Sequence, residues 1–199
     1  ATAIDSSDLP GDFPLDVMMH PATVQGEEGL AAMRALLRGR TALGERIFDV
    51  DRVIDYLASR GDFDLSKLGI MGNSGGGTTS MFAGAILPRL THAMPSCSFS
   101  TFADSIGAMY HCSCNYIPGL LCYGESADVL GLIAPRPLVV VSGKEDSIFP
   151  IGPAKQQFAH LQEIYTAAGA EQNCKHVYGD GGHRFYAEPA WNAMLPYWN

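Results

Sequence analysis

The chain has 199 residues, with 13 Lys plus Arg against 21 Asp plus Glu and a formal charge of −8. That balance excludes a general nucleic-acid binder, which needs a basic footprint to neutralise phosphates. Hydrophobic residues make up 47%, which excludes wholesale disorder, and the length suits one domain with a substantial core.

Only 17% of residues are charged, and there are 22 Gly and 12 Pro. This is the composition of buried parallel strands joined by tight turns, not of a coiled coil. The longest apolar stretches, such as Leu138-Val139-Val140-Val141, fall far short of the about 20 residues that cross a bilayer. No membrane partner is expected. Ala1 is followed by neither a basic n-region nor an apolar h-region, so no signal peptide is expected.

Residues 1–26 mix Asp, Ser, Pro and Gly without a sustained period and predict irregular chain. A short helix is expected over 27–37. A stronger one covers 45–60, where Ile47, Val50, Val53, Ile54 and Leu57 recur at spacings of three and four. Gly61 stands where a left-handed residue would stop it. Residues 67–71 read as a short buried strand, 72–77 as a sharp turn, and 78–87 as a helix ended by Pro88. A second strand fits 91–97. The β-branched run 137–142, bounded by Pro and Gly, is a strand. A helix over 153–168 has Pro in its first turn, an apolar stripe from Ala154 to Tyr165, and Gly169 just beyond. A strand over 174–178 and a helix over 188–198 complete the chain. Strands alternating with helices predict an α/β fold with a mainly parallel sheet and right-handed crossovers. The chain reads as a single domain, 1–199. Residues 99–135 interrupt the alternation and predict two short helices in a lid or pocket-wall excursion.

The segment Gly72-Asn73-Ser74-Gly75-Gly76 fits G-x-S-x-G, with a strand before it and a helix after it. A nucleophile lifted above the strand ends needs a strained turn, and its neighbours must lack clashing side chains. The N–H of Gly75 then opens the helix and faces a developing oxyanion. A serine hydroxyl is a weak nucleophile and needs an oriented base. The expected order is Ser, then Asp or Glu, then His. Asp146 follows the strand over 137–142, and His183 follows the last strand, flanked by Gly181 and Gly182. The expected catalytic residues are therefore Ser74, Asp146 and His183, with Gly75 in the oxyanion hole.

The competitors read as structural. Glu145, adjacent to Asp146, would point elsewhere, and Asp180 shapes a turn. His92, His160 and His176 fall before a strand, in a helix and in a strand. His111 is the serious rival and reads as a pocket-wall residue. The five cysteines are Cys97, Cys112, Cys114, Cys122 and Cys174, an odd count that argues against a disulfide framework. His111, Cys112 and Cys114 invite a metal reading. However, zinc knuckles use C-x-x-C and no second ligand pair follows, so no metal and no cofactor are expected.

Four segments bear a resemblance: Gly-Asn-Ser-Gly-Gly-Gly at Ser74, the loop His111-Cys112-Ser113-Cys114-Asn115-Tyr116-Ile117-Pro118-Gly119, Pro135-Arg136-Pro137-Leu138 leading to Asp146, and Gly181-Gly182-His183. From about Gly39 onward the chain resembles the α/β-hydrolase superfamily, and within it the acetyl xylan esterase and dienelactone hydrolase-like group. The resemblance implies a serine carboxylic-ester hydrolase acting on small acyl groups, such as acetyl on a carbohydrate or similar small ester. Dienelactone hydrolases proper use cysteine as nucleophile, and Ser74 implies the esterase branch. The resemblance also implies a three-layer sandwich, and the family has an eight-stranded sheet whose fifth strand ends at the nucleophile. Too little chain precedes residue 67 for four strands, and no His-Gly segment offers the second oxyanion donor. The chain thus resembles the C-terminal half of the fold, and its first strand is expected to have an open apolar edge. A second chain, a missing segment or a homo-oligomer would complete the sheet. Two other readings stand beside this one. A prolyl-oligopeptidase-type serine peptidase shares fold and triad order, and a catalytically silent half-domain could serve as an assembly partner.

Overall fold

The computed structural model describes residues 25–198. The irregular stretch expected over 1–26 lies outside it except for Gln25 and Gly26. These two are helical, so the first helix, α1, spans Gln25–Leu37 and starts two residues earlier than the sequence pattern indicated. Helix α2 spans Ala42–Arg60. Thr41 caps it by accepting the Gly44 N–H on Oγ1 at 3.0 Å, which moves the start ahead of the apolar stripe. Gly61 ends it with φ 75°, as expected. Leu43, Ile47 and Ile54 are buried on its inner face, whereas Val53 remains 37% exposed.

Strand β1 is Gly69–Asn73, two residues later than expected. Lys67 and Leu68 are held in a turn: the Lys67 N–H bonds Asp64 O, and the Leu68 N–H bonds Thr91 Oγ1 at 2.8 Å. Helix α3, Gly75–Ile86, absorbs the glycine run that the sequence pattern assigned to a turn. Strand β2 is His92–Ser96 and strand β3 is Leu138–Gly143. Between them lie two 3₁₀ turns, Ser113–Asn115 and Leu120–Cys122, and α4, Ser126–Gly131. The excursion therefore holds one short α-helix where two were expected. Helix α5 is Ile151–Ala167, strand β4 Cys174–Gly179, and helix α6 Ala187–Trp198.

The four strands form one sheet in the order β1-β2-β3-β4, and every neighbouring pair is parallel. All six residues of β3 are buried, as a central parallel strand covered on both faces must be. Its side chains alternate between two cores. Leu138 and Val140 pack with Ala93, Met81, Phe82, Leu130, Leu161 and Tyr165 under α2 to α5. Val139 and Val141 pack with Met94, Ala190 and Met194 under α6. Helix, sheet and helix give the three layers that the resemblance implied. Among the described residues β1 has no strand on its outer side, and its burial fades toward Gly69. No helix among them is long and apolar enough to cross a membrane.

Candidate active site

The C-terminal ends of parallel strands are where an α/β sheet exposes backbone groups and loops to a ligand. Ser74, Asp146 and His183 all lie there, after β1, β3 and β4. Ser74 sits between β1 and α3 at φ 56° and ψ −121°, a strained backbone for a residue with a Cβ. The corner is held on both sides. The Ser74 N–H bonds Ser96 O at 2.9 Å, and the Thr78 N–H bonds Ser74 O at 2.9 Å. A Cβ on Gly72 would overlap the Gly76 carbonyl, so the motif's first glycine is a steric necessity. Gly75 is the first residue of α3, and its N–H is one of those a helix leaves unpaired.

Asp146 is 5% exposed. Its Oδ1 accepts the backbone N–H groups of Ile148 at 2.9 Å and Phe149 at 3.1 Å. Its Oδ2 lies 2.8 Å from His183 Nδ1. Burial opposes ionisation of Asp146, but the hydrogen bonds from His183, Phe149 and Ile148 outweigh it and hold the carboxyl below its ordinary value. A carboxylate only accepts, so Nδ1 carries the proton and Nε2 is left as the basic nitrogen. The His183 loop is bound to the Asp146 loop through backbone. Lys144 N–H donates to Gly179 O at 3.0 Å and Glu145 N–H to Gly181 O at 2.8 Å. A Cβ on Gly143 would strike the Gly182 carbonyl. Tyr186 supports the loop from below, its OH donating to Gly182 O at 2.8 Å.

The structure joins His183 to Asp146 directly. Among the described residues no hydrogen bond links the Ser74 hydroxyl to His183. Cys97, which sequence reasoning passed over, lies beside the Asp146–His183 pair. It follows β2 at φ 44° and is 1% exposed. Its Sγ donates to Arg184 O at 3.1 Å, and its sulfur lies within 4.8 Å of ligand atoms of both Asp146 and His183. The sequence pattern ran this strand through residue 97; the structure ends it at Ser96, the register partner of Asn73, so Cys97 follows β2 as Ser74 follows β1.

The rivals other than His111 are engaged elsewhere. Asp180 pairs with Lys144 at 2.5 Å, both well exposed, and Glu145 is exposed. His92 is held between Thr91 Oγ1 and Tyr197 O. His160 pairs with Asp128 on the surface. His176 bonds Ser142 and Tyr178, and burial pushes it down to about 3. His111 is buried, with its ring against Phe149. Cys114 is buried and Cys112 exposed, and neither joins a metal-ligating cluster among the described residues. The one such cluster is Cys97, Asp146 and His183. It suits an ion poorly: His183 Nδ1 is committed to Asp146, and burial pushes the Cys97 thiol up to about 11, keeping it protonated. A cavity of about 930 Å³ lies elsewhere, lined by Arg40, Phe48 and Ile117 among others, and none of Ser74, Asp146 or His183 lines it.

No protein-family model matches the chain. A protein named "Putative hydrolase YtaP" from Bacillus subtilis (strain 168) is 26% identical over 151 residues, covering 74% of this chain and 50% of that protein. Among solved structures, Methylesterase BT1017 superposes with a TM-score of 0.63 at 28% identity, covering 77% of this chain and 34% of that one. The CE15 glucuronoyl esterase from Caldicellulosiruptor kristjansonii gives 0.62 at 16% identity, covering 74% and 47%. A recombinant glucuronoyl esterase from Sporotrichum thermophile gives 0.60 at 23%, covering 78% and 50%. The chain spans about half the length of the curated relative and between a third and a half of the lengths of these structures.

Proposed function

We propose that this chain, an α/β-hydrolase by fold, supplies the nucleophile, acid and base of a serine hydrolase that cleaves carbohydrate esters. The observation that supports it most is the Asp146–His183 hydrogen bond, placed at the same sheet edge as a serine on a strained strand-to-helix corner. Ser74 Oγ attacks the ester carbon while His183 Nε2 takes its proton. Asp146 holds the imidazole in the Nδ1–H tautomer and stabilises the imidazolium. Gly75 N–H supplies half of an oxyanion hole. The alcohol leaves with the proton from His183, and water cleaves the acyl-enzyme by the same relay. Residues 99–135 form one wall of the pocket.

The ester bond is proposed in two forms. Acetyl on a sugar hydroxyl follows from the sequence resemblance. A methyl ester of a uronic acid follows from the names of the structural neighbours, a methylesterase and glucuronoyl esterases. A second oxyanion donor, and strands on the free side of β1, are proposed to come from a further segment or chain.

Hydrolysis of p-nitrophenyl acetate, acetylated xylose and methyl glucuronate by the parent chain and Ser74→Ala tests the assignment. Loss of the serine is expected to lower turnover by several powers of ten, about 10⁶ in the subtilisin case. Equal rates in the two proteins would remove the proposal. The two carbohydrate esters separate the substrate forms.

A further inference from the structure

Two polar side chains of the 99–135 excursion are buried against the Asp146 loop, and the chemistry above does not use them. Ser105 is 1% exposed and His111 6%. Ser105 Oγ lies 2.6 Å from Ile148 O and 3.1 Å from His111 Nε2. A carbonyl only accepts, so the one hydroxyl proton goes to Ile148 O. The bond from His111 must then run from Nε2–H to Ser105 Oγ, which fixes that ring in its Nε2–H tautomer. Burial, and then the charge of a protonated His183, hold His111 below the ordinary histidine value.

This pair touches the Asp146–His183 unit at two points. Through Ile148 it grips the turn whose N–H groups hold Asp146 Oδ1. Through its own ring, His111 packs edge-on against Phe149 at 5.3 Å, and Phe149 stacks on His183 at 5.9 Å. Both ends of the acid–base pair are therefore braced by one short segment, residues 105–111. That segment belongs to the excursion and to no sheet element.

We propose that Ser105 and His111 are positioning residues that lock the excursion to the Asp146–Phe149 turn and so hold His183 in its working orientation. The proposal rests on the triad reading above. It also makes the excursion and the acid–base pair one mechanical unit: a substrate that displaces the excursion would move the imidazole.

The test is a variant series with a readout independent of turnover. Ser105→Ala and His111→Phe each remove one link, while Ser105→Thr keeps the hydroxyl and His111→Gln keeps a neutral N–H donor near the Nε2 position. The low-field Nδ1–H resonance of His183 reports its bond to Asp146. In Ser105→Ala and His111→Phe it is expected to move upfield and exchange faster with water. In Ser105→Thr and His111→Gln it should stay near its parental position. On an active ester, kcat should fall about tenfold in the first two variants with KM within about twofold, and recover to within about threefold of parent in the second two. A parental resonance and parental kcat in well-folded Ser105→Ala and His111→Phe would overturn the proposal. If Ser105→Ala does not fold, the contrast of His111→Phe with His111→Gln decides alone. If no ester is cleaved by any of these proteins even with the segment or chain that completes the sheet present, the esterase reading fails, while the resonance still judges the bracing.

Discussion

Asp146 binds with both of its oxygens, and the two have separate tasks. Oδ1 closes its own turn through Ile148 and Phe149, and Oδ2 orients His183. Asp146→Asn offers a neutral amide in the same shape, which can leave the imidazole in the wrong tautomer. Turnover is expected to fall about 10⁴-fold, the size seen for this change in the serine-protease template, with the circular dichroism spectrum retained. The same carboxylate makes a pH-dependent contribution to stability. Its folded value lies below the unfolded one of about 3.9. The contribution is therefore complete above the unfolded value and lost as pH falls through the folded value. Urea midpoints measured from pH 6 to pH 3 should fall for the parent chain more steeply than for Asp146→Asn. Parallel slopes would show that the carboxylate is not held in this way. At this scale the strand-end positions of Ser74, Asp146 and His183 could be read in the sequence, because glycines mark them locally, and the structure joins the last two by a hydrogen bond. Cys97 and Ser105 could not be: their partners, Arg184 and Ile148, lie 87 and 43 residues away and have no local mark.

Among the elements, helix ends were hardest to place from the sequence. Periodicity marks where apolar side chains face a core, whereas a helix begins where a cap or free N–H groups allow. Thr41 and the glycine run at Gly75 therefore extend α2 and α3 beyond their apolar stripes. The segment Pro135-Arg136-Pro137 also gains a physical role that its pattern does not reveal. Arg136 turns its guanidinium back over the end of α3 and donates to Gly84 O at 2.7 Å, Leu87 O at 3.2 Å and Leu90 O at 2.7 Å. The Gly84 carbonyl lacks its helical donor because residue 88 is a proline, whereas Leu87 O also accepts the Leu90 N–H at 3.1 Å. Arg136→Met would keep most of the stem packing and remove the guanidinium donors, leaving Gly84 O without its partner. The expected loss is about 2–3 kcal/mol, seen as a lower urea midpoint with an unchanged slope. A loss under about 0.5 kcal/mol would place this arginine with ordinary surface substitutions.

At the scale of the whole molecule, the α/β class and parallel order were legible because strand and helix periods alternate and β3 is apolar throughout. The fold of residues 99–135 was not, since it is set by contacts distant in sequence, such as Ser105 with Ile148 and Ala127 with Gln157. The sheet itself leads to the last prediction. β3 is paired on both sides and buried on both faces, while β1 has one row of backbone groups facing outward among the described residues. An unpaired parallel edge beside half-buried Ile70 and Met71 is a template for another strand. The chain on its own should therefore associate, with a scattering mass above 21.3 kDa. Amide exchange should be slowest in β3, and β1 should gain protection only as the mass rises. A segment that supplies the neighbouring strand should bring the mass to one defined complex, protect β1, and raise esterase turnover by completing the oxyanion hole. A species of 21.3 kDa that stays monomeric at high concentration, with full activity and no protection gained in β1, would show that this edge needs no partner.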